Sequence, residues 1–119
     1  MKILVVDDNR ALTEVVKAML QRGRHRVEIA GNGEEGYQAF LDFQPELVIT
    51  DIQMPRRDGF ALIDAIRGHN PQIRTIYMSG DLKRFRMRIE SEKRCYAVDG
   101  LDKPFTIEDL HRALEFVRN

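Results

Sequence analysis

The chain has 119 residues, and its 19 lysines and arginines balance 19 aspartates and glutamates. This length suits one domain with a real core, while the neutral charge gives no electrostatic case for a nucleic acid or a membrane surface as partner. The single cysteine, Cys95, excludes an internal disulfide, suits a reducing cytoplasm and is expected to be partly buried. We expect neither a signal peptide nor a membrane-spanning segment.

Short apolar runs predict five β-strands. In chain order they are Ile3–Val6, Val27–Ala30, Leu47–Thr50, Ile73–Met78 and, more weakly, Ala97–Leu101. Short continuous apolar runs with many β-branched residues are typical of strands that are buried on both faces of a parallel sheet.

Helical periodicity fills the segments between these runs. The expected inward faces are Leu12, Val15, Val16, Met19 and Leu20; Tyr37, Phe40 and Leu41; Phe60, Ile63 and Ile66; Leu82, Phe85 and Ile89; and Ile107, Leu110, Leu114 and Val117. Asn32 with Glu35 forms a capping box, and Thr106 caps the last helix. Met87 lies off the face of the fourth helix. Strands that alternate with helices predict an α/β fold, a doubly wound five-stranded parallel sheet in one domain, residues 1–119.

Carboxylates follow two of the predicted strands. Asp7 and Asp8 come directly after the first strand, and Asp51 comes directly after the third. Ligands of open parallel sheets collect at the carboxyl ends of the strands, so these acids share one crevice if the two strands are neighbours. Two carboxylates about 5 Å apart repel by roughly 3 kcal/mol at an effective dielectric near 20. Either their pKa values rise or a hard cation such as Mg²⁺ neutralises them.

Two more polar residues follow the remaining strands. Taken alone, Asp7 or Asp8 is more simply a turn former or a helix cap. Ser79 follows the fourth strand, however, and Lys103 follows the fifth. A hydroxyl donor and an ammonium at the same edge are the groups that an anion site built around a metal needs.

The segments "VVDDN", "VITDIQMPRRDGF", "IYMSG" and "LDKPF" occur in this order. With these segments the chain resembles, end to end, the receiver domain of two-component response regulators, of the chemotaxis-receiver type. The resemblance implies a flavodoxin-like strand order, 2-1-3-4-5. It also implies a function: a sensor histidine kinase or a phosphotransfer protein donates a phosphoryl group, and the domain signals when it carries that group.

The resemblance assigns a role to each site residue. Asp51 is implied as the phosphoacceptor, and Ser79 and Lys103 as the groups that bind the phosphoryl oxygens. The implied Mg²⁺ ligands are Asp7, Asp8, Asp51 and the backbone carbonyl of Gln53. The Lys103–Pro104 peptide bond is expected to be cis, which X–Pro bonds allow at small cost.

Position 100 departs from the family pattern. Receivers carry a tyrosine or phenylalanine three residues before this lysine, and the ring reports phosphorylation to the surface. Here the residue is Gly100, so no switch aromatic is assigned. Three interpretations stay open: Tyr96 or Phe85 substitutes in space, loops and helices move without an aromatic, or the domain acts mainly as a phosphate relay.

The segment "LKRFRMRIESEKR", residues 82–94, holds six basic residues and two acidic ones. A solvated helix face is the simpler interpretation. The alternative is a docking face for an acidic partner, because receivers signal through the region that borders this helix.

Our first interpretation is a single-domain, cytoplasmic response regulator that is not an enzyme and that binds neither nucleic acid nor membrane. The second is a receiver that belongs to a larger regulator with an output domain. The third is an aspartyl-nucleophile, Mg²⁺-dependent phosphatase of the haloacid dehalogenase type. Such phosphatases require an acid two residues after the nucleophile, where this chain has Gln53.

Overall fold

The five predicted strands form one parallel sheet. A computed structural model describes residues 1–118 and gives the strands as β1 (Lys2–Val6), β2 (Arg26–Ala30), β3 (Leu47–Asp51), β4 (Arg74–Ser79) and β5 (Val98–Asp102). Their order is β2-β1-β3-β4-β5, with every neighbouring pair parallel. The predicted fold class and strand order are therefore confirmed, with strand ends that differ from the prediction by a single residue.

Five α-helices connect and flank the strands. They are α1 (Arg10–Arg22), α2 (Gly33–Phe43), α3 (Gly59–Arg67), α4 (Arg86–Lys93) and α5 (Ile107–Arg118). The predicted caps are present: Asn32 Oδ1 accepts from the Glu35 N–H at 2.9 Å, and Thr106 Oγ1 accepts from the Asp109 N–H at 3.1 Å. The fourth helical segment is split, because a 3-10 turn at Leu82–Phe85 precedes α4. Within residues 1–118, no helix is long and apolar enough to cross a membrane.

The sheet is covered on both faces. Side chains of α1 and α5 pack on one face with alternate residues of β1, β3 and β4, while α2, α3 and α4 pack on the other. Every residue of Ile3–Val6 is fully buried, as the apolar run predicted. Two burial predictions are wrong. Val15 is 50% exposed at the edge of the α1 stripe, and Cys95 is exposed in the turn between α4 and β5.

A buried carboxylate ties α4 to the rest of the fold. Glu92 is 6% exposed and accepts hydrogen bonds from Arg67 Nη2 at 2.8 Å, from the Tyr77 hydroxyl at 2.8 Å and from Arg88 Nε at 2.9 Å. Burial and the charge of Glu92 raise the pKa of Tyr77, so the phenol stays a proton donor. Three donors from α3, β4 and α4 therefore converge on one side chain.

Removing this carboxylate is expected to destabilise the fold. Glu92→Ala leaves Arg67, whose side chain is 10% exposed, without its closest counter-charge, and breaking such a buried pair costs about 3 kcal/mol. Chemical denaturation measures the change in the free energy of unfolding. Glu90→Ala on the same helix is the control: Glu90 is exposed, so a change within about 0.5 kcal/mol is expected there. Equal effects of the two substitutions would contradict the proposed tether.

Candidate functional site

Three carboxylates meet at the carboxyl ends of β1 and β3. These strands are hydrogen-bonded neighbours, with Val6 opposite Thr50, so Asp7 and Asp51 lie side by side. One oxygen each from Asp7, Asp8 and Asp51 lies within 4.8 Å of the others. Asp7 is 1% exposed and Asp51 7% exposed, whereas Asp8 faces solvent. The crevice expected from strand order is thus present.

Lys103 reaches this crevice from the end of β5. Its Nζ lies 2.6 Å from Asp7 Oδ2 and 3.3 Å from Asp51 Oδ1. The ammonium therefore bridges two acids and is closer to Asp7. The Lys103 N–H donates to the Ser79 carbonyl at 2.9 Å, and this bond holds the backbone of Lys103 beside the end of β4. The Lys103–Pro104 peptide bond is cis, as predicted. The sequence predicted Lys103 as a group that binds phosphoryl oxygens but did not predict its contact with Asp7.

Ser79 is the last residue of β4 and is buried. Asp51 pairs with Met78 in the β3–β4 register, so Ser79 stands one residue beyond Asp51 on the adjacent strand. The Ser79 Oγ accepts a hydrogen bond from the Asp81 N–H at 2.9 Å. This bond joins the serine side chain directly to the turn that leads into Leu82–Phe85.

Burial and the neighbouring charges shift the pKa values of Asp51 and Lys103. Burial, followed by the negative charge of Asp7, raises the pKa of Asp51, and Lys103 opposes only part of this shift. Burial disfavours the charged form of Lys103, but its hydrogen bond to Asp7 and the charge of Asp51 outweigh that effect and raise the pKa of Lys103. The ammonium is therefore held charged between two acids.

The loop after β3 is shaped by a glycine. Asp58 caps α3 by accepting from the Ala61 N–H at 2.8 Å, and the next residue, Gly59, donates its N–H to the Ile52 carbonyl at 2.8 Å. A Cβ at Gly59 would lie 2.3 Å from the Asp51 carbonyl oxygen. The bare backbone of Gly59 thus supports the backbone of Asp51. Gln53 is exposed in this loop, so its side chain is free to face solvent.

The donor set fits a hard divalent cation. Mg²⁺ prefers oxygen ligands and is commonly bound by one or two carboxylates, with waters and phosphate oxygens completing its shell. One carboxylate oxygen from each of Asp7, Asp8 and Asp51 lies close to the other two, and the exposed Asp8 shows that solvent reaches this cluster. An anion that arrived there would also meet Lys103. The arrangement can therefore bind a cation and a phosphoryl group together.

The space over Gly100 is filled by aliphatic side chains. Gly100 pairs with Tyr77 in the β4–β5 register. The atoms nearest to a Cβ built there are Leu82 Cδ2 and Cδ1, at 3.0 and 3.1 Å, and Ile89 Cδ1 at 3.5 Å. The two aromatic substitutes suggested by the sequence have other neighbours: Arg67 lies over the Tyr96 ring at 3.7 Å, and the rings of Phe85 and Phe60 are 5.7 Å apart. The sequence predicted Leu82 on the inward face of the fourth helix but did not predict that it lies over Gly100.

Comparisons with known proteins agree on one family. The family model described as the response regulator receiver domain matches residues 3–115. The transcriptional regulatory protein RprY of Bacteroides fragilis is 30% identical over 98% of this chain, and the chain spans 49% of RprY, about half its length. The probable chemotaxis protein CheY of Rhizobium etli is 30% identical over 98% of this chain and 91% of its own length.

A solved structure is similar in fold as well. The response regulator protein TrrA of Thermotoga maritima, crystallised in complex with Mg²⁺–BeF, superposes with a TM-score of 0.83. The two sequences are 28% identical over 98% of this chain and 97% of that one. The cluster of Asp7, Asp8 and Asp51 is consistent with this magnesium-binding family.

The close approach at Gly59 predicts a position-specific cost. Gly59→Ala forces a methyl group against the Asp51 carbonyl, and overpacking of this kind costs about 1–3 kcal/mol in the free energy of unfolding. Gly80→Ala is the matched control, since no atom lies within 4 Å of a Cβ at Gly80. Denaturant titration of both variants measures the difference. Equal stabilities would contradict the close packing behind Asp51.

The crowded acids predict that neutralising Asp51 stabilises the metal-free fold. The raised pKa of Asp51 means that the folded state favours its protonated form. The stability gained from that protonated form is fully present below the ordinary carboxyl pKa near 4. It is lost as the pH rises through the raised pKa of the folded state. Asp51→Asn stays neutral throughout. At pH 7 in EDTA we expect the free energy of unfolding of Asp51→Asn to exceed that of the parent by about 1 kcal/mol. The gain is no larger because Lys103 offsets part of the repulsion among the acids.

Thermal or urea unfolding between pH 4 and 7 measures this advantage, which should shrink as the pH falls. Asp42→Asn, an exposed acid on α2, is the control for the loss of one charge. An Asp51→Asn protein that is less stable than the parent at pH 7 would show that repulsion does not dominate the site.

Proposed function

Since this chain belongs to the response regulator receiver domain family, we propose that it is a cytoplasmic signalling module controlled by phosphorylation of Asp51. The donor is a sensor histidine kinase or a phosphotransfer protein. The proposal gives the chain no turnover activity of its own in metabolism, no nucleic-acid site and no membrane site. One observation carries it: two buried acids, one exposed acid and an ammonium converge at a single point.

The chemistry assigns one step to Asp51. A carboxylate oxygen attacks the phosphorus of a phosphohistidine, the P–N bond breaks, and its electron pair remains on the imidazole, which takes up a proton. The product is an acyl phosphate on Asp51. Such a transfer requires positioning and charge stabilisation more than covalent help from the protein. The buried ends of β1 and β3 supply that positioning.

The other residues act on charge. Mg²⁺ held by Asp7, Asp8, Asp51 and the Gln53 carbonyl would neutralise charge on the phosphoryl oxygens. Lys103, already held charged beside Asp51, pairs with the same oxygens after transfer. The Ser79 hydroxyl donates a hydrogen bond to one of the phosphoryl oxygens. Its Oγ also accepts from the Asp81 N–H, so a shift of the Ser79 side chain would be transmitted to the following turn.

The relatives differ in what surrounds the receiver. This chain spans about half of RprY but 91% of the chemotaxis protein from Rhizobium etli. We propose the second type, a receiver that acts by itself. A receiver joined to an output domain would use the same site, so the phosphotransfer proposal holds for both arrangements.

Phosphorylation of Asp51 can be measured directly. The parent protein, incubated with acetyl phosphate and MgCl₂, is expected to gain the mass of one phosphoryl group, and EDTA should prevent the gain. Asp51→Asn is expected to gain none, because it lacks the nucleophile. Asp42→Asn should behave as the parent does. Intact-protein mass spectrometry reads all four samples, and a phosphorylated Asp51→Asn protein would refute the assignment.

A further inference from the structure

The outer side of β2 is a free edge of the sheet. Within residues 1–118, the one strand that is hydrogen-bonded to β2 is β1. The Arg26 N–H donates to the Met1 carbonyl at 3.0 Å, so the backbone groups of Arg26 face β1. Because alternate residues of a strand turn their backbone groups to opposite sides, Val27 and Ile29 direct theirs away from the sheet. Such an edge is a template on which another strand can pair.

The exposed side chains of β2 carry opposite charges. Val27 is 7% exposed and packs in the core, whereas Arg26 and Glu28 on either side of it are exposed. Neither of these two charged residues forms an ion pair within residues 1–118. Charged side chains usually protect a sheet edge against pairing. Opposite charges two residues apart leave one register in which the edge can pair with itself.

That register is an antiparallel pairing about Val27. With a twofold axis at this residue, the two copies of Val27 exchange N–H···O=C bonds, and each Arg26 stands opposite Glu28 of the other copy. Opposite charges in such cross-strand positions stabilise a sheet. The neighbouring registers that keep the same faces together place Glu28 opposite Glu28, or Arg26 opposite Arg26. The charges therefore favour the pairing about Val27 over its neighbours.

An acidic cavity lies beside this edge, between β2 and the C-terminal half of α2. Its volume is about 310 Å³, and its lining residues are Glu28, Ala39, Asp42 and Phe43. The two carboxylates of the lining form no ion pair within residues 1–118. Arg26 of a second copy, set opposite Glu28, would extend its guanidinium into this cavity. Carboxylates are the groups that a guanidinium binds best in proteins.

We propose that two copies of this chain pair along β2, antiparallel about Val27, and so join their two sheets into one. An Arg26–Glu28 ion pair on each side of the twofold axis holds the dimer. Because the paired strands run in opposite directions, the carboxyl ends of the two sheets face opposite ways and both Asp51 crevices stay open. The proposal does not rest on phosphorylation of Asp51. The ladder is short, so the dimer is weak and depends on protein concentration.

Exchanging the charges across the axis tests this pairing. Sedimentation equilibrium measures the dimer dissociation constant, with a reductant present so that the exposed Cys95 cannot cross-link two copies. Arg26→Glu and Glu28→Arg each create two like-charged pairs, so each is expected to weaken the dimer about tenfold. The double variant with both substitutions restores two opposite-charge pairs and should bind within about threefold of the parent.

Arg94→Glu is the matched control for the loss of one positive charge. Arg94 is exposed in the turn before β5, the strand at the other edge of the sheet, and it forms no ion pair within residues 1–118. This variant should dimerise as the parent does. A loss equal to that of Arg26→Glu would show that overall charge, and not the β2 edge, governs association.

Amide hydrogen exchange locates the interface. The Val27 N–H points outward from a lone copy, so its protection should rise with protein concentration. The Glu28 N–H faces β1 and should be protected at every concentration. A protein that stays monomeric up to about 1 mM would overturn the proposal. So would a dimer in which Val27 gains no protection, or a double variant that stays as weak as the two single ones.

Discussion

The ion cluster of Asp7, Asp51 and Lys103 is the interaction on which the site depends. Adjacent parallel strands β1 and β3 end at one edge, so their terminal acids cannot avoid each other. The compensating ammonium comes from 96 residues further along the chain than Asp7, and it passes the ends of β4 and β3 to reach Asp7. Because Lys103 directly follows β5, its ammonium reaches the acids only when β5 is paired with β4.

The like charges of this cluster oppose the stability of the fold. Burial and like charge raise the pKa of Asp51, which is a cost that the fold bears in the absence of an added cation. The buried apolar strands position Asp51 despite that cost, and the backbone of Gly59 packs closely against the Asp51 carbonyl. A divalent cation or a phosphoryl group would change the charge balance, so the site is suited to respond to either.

Hydrophobic periodicity was sufficient to predict the parallel sheet, whereas the strand order that makes β1 and β3 neighbours was implied by the family resemblance. The apolar runs located the strands, and the residues after β1, β3, β4 and β5 do lie at one edge. Burial at the border of a helix's apolar face was less predictable. Val15 of α1 has helical spacing with Leu12, yet it is half exposed within the described residues. The preference of Lys103 for Asp7 and the contact of Leu82 with Gly100 depend on side-chain reach and on a 3-10 turn, which periodicity does not encode.

The hydrogen bonds of Glu92 tie α4 into the fold more firmly than the 3-10 turn that precedes it, in which no residue is buried. Bonds from Arg67, Tyr77 and Arg88 fix the C-terminal half of α4 to α3 and β4. Ser79 is fixed at the other end, in the buried sheet. Between these anchors lie Gly80 to Phe85, none of whose side chains is fully buried. This less buried segment includes Leu82, the side chain that lies over Gly100.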